Sequence, residues 1–97
     1  MSKSILVVKT GPASADVADA YNDWYDNTHL GELLAIDGCT SAKRYVDGDN
    51  YLALYEFDCD ADTAKARFGA AFPGMVAPVG IRMDPPPSME FFNIYGE

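Results

Sequence analysis

The chain predicts an α+β domain running strand, helix, strand, strand, helix, strand, and three observations carry that reading. A β-branched run, Ser4-Ile5-Leu6-Val7-Val8-Lys9, is stopped by Gly11-Pro12. Two more strand-like runs, Thr40 to Val46 and Tyr51 to Phe57, flank Asp47-Gly48-Asp49-Asn50, a composition that makes a tight hairpin. The stretches before and after that hairpin follow a helical period instead.

In chain order, the first strand is apolar on both faces and so belongs in the middle of its sheet. Ser14 is placed to cap the helix that follows, with Asp16 in its first turn complementing the dipole. At about 100° per residue, Asp16, Asp19, Asp23 and Asp26 form an acidic stripe opposite Val17, Ala18, Tyr21, Trp24, Tyr25 and Thr28. This helix is expected to end near Thr28 to Leu30, because continuing it would turn Leu30 toward the acidic side. A further short turn over Glu32 to Ala35 precedes the break at Asp37-Gly38. In the second hairpin strand Tyr51, Ala53, Tyr55 and Phe57 share one face, and Leu52, Leu54 and Glu56 the other. Asp60 or Asp58 caps a second helix from Ala61 toward Ala71, with Ala64, Phe68 and Ala71 inward, and Phe72-Pro73-Gly74 ends it. Pro78, Gly80 and Pro85-Pro86-Pro87 make Met75 to Ser88 a loop, and Met89 to Tyr95 reads as the fourth strand.

The order β-α-β-β-α-β is the ferredoxin-like split unit, an antiparallel four-stranded sheet with both helices on one face. The face bearing Tyr51, Ala53, Tyr55 and Phe57, with Phe91 and Tyr95, is expected to lie away from the helices and to need cover. A second copy would supply it: two sheets packed face to face make a dimeric α+β barrel, each half keeping a pocket between sheet and helices.

Ninety-seven residues make one domain, and a 48% apolar, 12% aromatic composition is that of a globular chain. Fifteen acids against seven bases give a net charge of −8, which repels phosphate backbones and anionic lipid surfaces, so nucleic-acid and membrane partners are not expected. No apolar run approaches the roughly 20 residues that span a bilayer, and the start carries no signal-peptide cleavage pattern, so the expected location is cytoplasmic. Cys39 and Cys59 lie in separate elements without a CxxC or a ligand set at metal spacing; no metal and no organic cofactor are expected, and free thiols fit a reducing compartment.

The segment Tyr21-Asn22-Asp23-Trp24-Tyr25-Asp26-Asn27-Thr28-His29 holds the only tryptophan and the only histidine. Histidine, with an ordinary pKa of about 6.5, both accepts and donates a proton near neutral pH. His29 falls at the flank of the buried helix face four residues after Tyr25, so phenol and imidazole can reach the same margin of a cavity. A lone histidine near a helix end also serves simply as a dipole partner.

The run WYDNTHLGELLAIDGCTSAKRY, starting at Trp24, resembles the signature of the EthD-like branch of the dimeric α+β barrel superfamily, and the ending FFNIYGE is similar to that branch's terminal strand. The motif covers about residues 21 to 45 and the element order most of the chain. The resemblance implies that Trp24 and His29 border the pocket, with Gly38, Arg44 and Tyr45 in the turn and second strand. Two positions depart from the pattern: Gly31 stands where proline often follows the histidine, and Cys39 where a bulkier residue follows the glycine.

His29 and Tyr25 are therefore the candidate catalytic pair, and Tyr21, Trp24, Cys39, Arg44, Tyr45 and Tyr55 the candidate substrate-binding residues. Each has a plainer reading: core aromatics for the tyrosines, an ion-pair partner for Arg44, packing for Cys39. The expected activity is cofactor-independent proton transfer by His29 on a small hydrophobic or aromatic carbonyl compound, of cyclase, isomerase, lyase or monooxygenase type. The alternative is a non-catalytic homodimer that binds a small ligand or assists an oxygenase.

Overall fold

Residues 2–96 are described in a computed structural model of the chain. The β-branched and aromatic runs form four antiparallel strands, β1 (Ser4–Thr10), β2 (Cys39–Asp47), β3 (Asn50–Phe57) and β4 (Ser88–Asn93), in the spatial order β2-β3-β1-β4. The helices are α1 (Ala18–Trp24), α2 (Leu30–Leu34) and α3 (Ala61–Ala71). The fold is thus the α+β split unit the sequence predicts, with apolar β1 in the sheet interior between β3 and β4. Asp47 pairs with Asn50 across the hairpin, and Gly48 takes φ +61°, the left-handed conformation such two-residue turns require. Among the described residues, no helix is long and apolar enough to cross a membrane.

Residues directly opposed in an antiparallel sheet share a face. Leu6 lies opposite Tyr55 and Phe91, and Val8 opposite Ala53 and Met89. Leu6, Val8, Ala53, Tyr55 and Phe57 are buried together with Tyr21, Trp24, Tyr25, Leu33, Ala64 and Phe68 from the helices. The Tyr51–Phe57 aromatic face therefore packs under the helices, which corrects the expectation that it lies on the open side. Period-two alternation shows which residues share a face but not which face the helices cover, and β3 is apolar on both. The open side carries Ile5, Val7, Leu52 and Leu54, half-buried, with Tyr45 and Phe92 more exposed. Tyr95 lies beyond β4, fully exposed.

The first helix also departs from expectation. It does not end near Thr28 but runs on through a π-helical turn, Tyr25–His29, into α2. The wider turn closes on a hydrogen bond from the Leu30 N–H to the Tyr25 carbonyl, five residues back. The inserted residue resets the helical phase, so Leu30 packs on the core and Leu33 is fully buried. An unbroken α-helix would have turned Leu30 outward, which is why a fixed period stops the helix too early. The Ser14 side chain makes no capping bond; its carbonyl accepts the Val17 N–H at 3.3 Å.

Two side chains fix α3. Asp60 Oδ1 accepts the Thr63 N–H at 2.7 Å, and Asn93 Oδ1, reaching across from β4, accepts the Ala61 N–H at 2.8 Å. The Thr63 N–H also holds the Asp60 carboxyl below its usual range. A short 3₁₀ turn, Phe72–Gly74, ends the helix. The chain from 75 to 87 is irregular but anchored: the Gly80 carbonyl accepts the Ala13 N–H at 2.7 Å, and the Arg82 N–H donates to the Gly11 carbonyl at 2.8 Å.

The chain enters β2 through Gly38 at φ +95°, and a Cβ there would lie 2.7 Å from Arg67 Nη1. Arg67 could swing aside; the backbone could not. Gly38→Ala is expected to lower unfolding free energy by about 1–2 kcal/mol, the typical strain of an L-residue in left-handed space, read as a shift in urea midpoint at constant slope.

Candidate functional site

The π turn builds the site. In a regular α-helix residues five apart are about 140° apart around the axis and do not meet, yet here Trp24 and His29 stack at 4.5 Å between ring centroids and 17° between planes. Tyr25 meets the same imidazole edge-on at 5.2 Å and 88°. The histidine is held between two aromatic side chains that the wider turn brings to one side.

A cavity of about 420 Å³ opens beside it, between the inner sheet face and the helices. Its floor is Leu6, Val8, Thr10, Tyr55 and Met89; Trp24, Tyr25, His29 and Leu33 form one wall, and Phe68, Phe72 and Pro73 another. The segment from Met75 to Pro78 closes the top, with Ile81 and Pro87 at the margin. The lining is mostly apolar, with a few polar groups on the floor and the adjoining helix wall, the usual make-up of a small-molecule site.

His29 Nδ1 lies 3.1 Å from Glu32 Oε1, three residues on along α2. That contact makes Nδ1 the protonated nitrogen of the neutral ring and leaves Nε2 as the free base. Burial lowers the His29 pKa below its ordinary 6.5, and the hydrogen bond and negative charge of Glu32 offset part of that shift. The imidazole is therefore neutral at pH 7. Burial raises the pKa of the Tyr25 phenol, against smaller opposing effects of the neighbouring Tyr55 and Thr10 hydroxyls and of Arg44. Tyr55 is pushed up further by the same cause. Both phenols stay protonated and able to donate. The Tyr55 hydroxyl and the Trp24 Nε1 are buried without a hydrogen-bond partner among the described residues.

Four of the sequence-predicted residues, His29, Tyr25, Trp24 and Tyr55, meet at this cavity, and four do not. Tyr21 lies behind Tyr25, edge-on at 5.7 Å, with its hydroxyl bonded to Thr10 Oγ1. Arg44 lies among the rings of Tyr25, Tyr51 and Tyr21, at 4.3, 4.7 and 5.4 Å from their centroids, and donates from Nη1 to Asp26 Oδ1 at 2.9 Å. Cys39 is half-buried at the start of β2, where its Sγ reaches the Ser41 carbonyl at 3.7 Å and burial raises its pKa, so it stays a thiol. Tyr45 points to the open side of the sheet, half-exposed, beside a separate groove lined also by Lys9, Leu52 and Arg82. Cys39 and Cys59 are free thiols.

Glu32, which meets His29, is the residue of the candidate site that sequence reasoning misses. The signal is present, since residues three apart on a helix are neighbours, but only for a helix carried past Leu30. The helical period places Phe68 inward without linking it to the cavity, and Met75 to Pro78 carry no periodic signal.

The fold is similar to that of Rv0793 from Mycobacterium tuberculosis, with a TM-score of 0.66 and 16% sequence identity over 99% of this chain and 98% of that one. It is also similar to NE2512 from Nitrosomonas europaea, a protein of unknown function, with a TM-score of 0.60 and 17% identity over 100% of this chain and 93% of that one. At such identities the likeness is one of fold. No protein-family model matches the chain, and no curated protein does.

The depressed His29 pKa has a consequence for stability with a definite sign. Between the lowered folded value and the ordinary 6.5 the unfolded chain binds more protons than the folded one, so stability rises with pH across that window and is lost as pH falls through it. The urea midpoint of the wild type should decline on acidification below 6.5 more steeply than that of His29→Asn, and the two curves should run parallel above pH 7.

Proposed function

We propose that the chain is a cofactor-independent acid–base catalyst acting on a small hydrophobic or aromatic carbonyl compound, in the manner implied by its resemblance to the EthD-like dimeric α+β barrels. The observation that carries this reading is a histidine in the wall of an apolar cavity with its Nδ1 against a carboxylate. In the proposed step His29 Nε2 takes a proton from the carbon beside the carbonyl. The electron pair moves onto the carbonyl oxygen, where the phenol of Tyr25 or Tyr55 donates a hydrogen bond to the developing enolate. His29 then returns the proton to another atom of the same molecule, which completes an isomerisation, cyclisation or elimination. Orienting groups of this kind let one histidine serve as base and then as acid.

The net charge of −8 and the apolar lining favour a neutral ligand over a phosphorylated one. We further propose that the protein works in the cytoplasm as a homodimer whose copies pack through the open sheet side. Ile5, Val7, Leu52, Leu54, Tyr45 and Phe92 supply the apolar surface for that contact. The dimer should bury more than about 1,000 Å² in total, the scale of a stable interface. Light scattering at micromolar concentration should give twice the chain mass, and a monomeric mass would remove the barrel.

His29→Asn keeps a planar polar side chain but cannot cycle a proton near neutral pH. It should preserve the fold and ligand-induced thermal stabilisation while lowering turnover by about 10²- to 10⁴-fold, the usual contribution of a general acid–base. The ligand comes from a thermal-shift screen of hydrophobic ketones, aromatic carbonyl compounds, nucleotides and sugar phosphates. Unchanged turnover by His29→Asn on the stabilising ligand, or stabilisation by phosphorylated compounds alone, would leave the reading without support and favour a binding protein.

A further inference from the structure

We propose that Glu32 is a positioning residue that ties closure of the cavity to the tautomer of His29; this deepens the reading of His29 as the acid–base group. One carboxylate makes two separate contacts. Its Oε1 lies 3.1 Å from His29 Nδ1, and its Oε2 accepts the backbone N–H of Val76 at 2.7 Å. Val76 belongs to the strap from Met75 to Pro78, all four residues of which line the cavity. Val76, Ala77 and Pro78 are exposed on their other side, so the strap is a single layer between cavity and solvent.

The strap is held at its ends by the Met75 N–H donating to the Phe72 carbonyl at 3.0 Å and by the Gly80 carbonyl accepting from Ala13 at 2.7 Å. Between those ends, among the described residues, the bond to Glu32 is the one hydrogen bond that ties the strap down. Opening the strap to admit a ligand of any size frees Glu32 Oε2, and closing it returns the carboxylate to the place from which Oε1 orients the imidazole.

Among the described residues, no other charged group competes for His29. From its own helix the titratable neighbours are Glu32 and Tyr25, and Tyr55 from β3 lines the same cavity. β1 and β4 present Leu6, Val8, Thr10 and Met89, α3 and its terminal turn present Phe68, Phe72 and Pro73, and residues Met75 to Ile81 carry no ionisable side chain.

The coupling makes a demand that Glu32→Gln tests. A carboxylate accepts at both oxygens, whereas an amide accepts at one end and donates at the other. If the carbonyl of the substituted amide takes the Val76 N–H, its NH₂ faces Nδ1, and the ring must move its proton to Nε2. If that carbonyl takes Nδ1–H instead, the NH₂ meets the Val76 N–H, donor against donor, and the strap is released. The variant can keep the tautomer or the strap, but not both.

Because His29 is the only histidine, its ring nitrogens are unambiguous in a ¹⁵N-correlated spectrum. The wild type should show the Nδ1–H tautomer above pH 7 together with a protected Val76 amide. Glu32→Gln should show either the Nε2–H tautomer with Val76 still protected, or the Nδ1–H tautomer with Val76 exchanging about tenfold faster or more, as loss of one charge-assisted hydrogen bond implies. Its His29 titration midpoint should also fall below the wild-type value, since burial remains and the carboxylate is gone. Retention of both tautomer and protection in Glu32→Gln would overturn the coupling, as would an Nε2–H tautomer in the wild type, a measurement that depends on no variant. These readouts need no substrate. If they fail while His29→Asn still abolishes turnover, the catalytic reading stands and the coupling falls; if they succeed while His29→Asn turns over normally, the reverse holds.

Discussion

The π turn at Tyr25–His29 is the constraint from which the rest of the site follows. One extra residue per turn is an inferior hydrogen-bonding geometry that persists only where packing compensates for it, and here the compensation is visible on both sides of the insertion. Before it, Trp24 and Tyr25 are already committed to the core. After it, Leu33 becomes fully buried, a gain of about 1.5–3 kcal/mol for a side chain of that size. A straight α-helix could satisfy one group or the other. The same reset brings Trp24 over His29 and points Glu32 back at the imidazole, so the site is a by-product of fitting two apolar stripes with different phases onto one sheet.

Behind the cavity wall, the Tyr21, Tyr25 and Tyr51 rings close around the Arg44 guanidinium, whose Nε and Nη2 are buried with no hydrogen-bond partner among the described residues. The aromatic faces stand in for part of the lost hydration, and Asp26 neutralises the charge from the protein surface at 2.9 Å. Arg44 thus touches the site through Tyr25, whose ring centroid lies 4.3 Å from its guanidinium, and does not itself line the cavity. Its positive charge favours ionisation of Tyr25 and Tyr55, but burial outweighs it, so both remain neutral donors. The ionisable rings that face the cavity, His29, Tyr25 and Tyr55, are then all uncharged at pH 7, in a chain whose net charge is −8. A neutral molecule in the cavity would meet no charged ring in this wall.

What can be read from the sequence divides along physical lines. Strands with sharp stops are legible because Gly11-Pro12 and Gly48 impose their turns locally, and the Asp60 cap is legible because a capping carboxylate acts within three residues. Residue chemistry and a short motif are enough to nominate His29, Trp24, Tyr25 and Tyr55. They do not nominate Glu32, because a single helical period cannot represent a phase reset and puts everything after the π turn on the wrong side of the helix axis. The covered face of β3 escapes for a different reason: Tyr51–Phe57 and Leu52–Leu54 are both apolar, and only the landing of α1 and α3 decides between them. The strap is invisible because Met75 to Pro78 follow no period, and their position depends on contacts with residues more than 40 positions away, such as Glu32.

Under the proposed reading, the histidine supplies this cavity with something that apolar packing alone does not. Taking imidazole and carboxylate out of water is unfavourable for both, and the loss is recovered only in part by their mutual hydrogen bond. Burial already lowers the His29 pKa, so the pair is not arranged to hold a strong ion pair. A phenylalanine at position 29 would offer Trp24 a ring and add apolar area to the wall, but would bring no titratable nitrogen. What the present arrangement supplies, and such a replacement would not, is an unprotonated nitrogen at neutral pH whose tautomer is set by a neighbouring carboxylate. The desolvation penalty is therefore best understood as the cost of keeping a base in an apolar site. That argument weights the site toward proton transfer over simple storage.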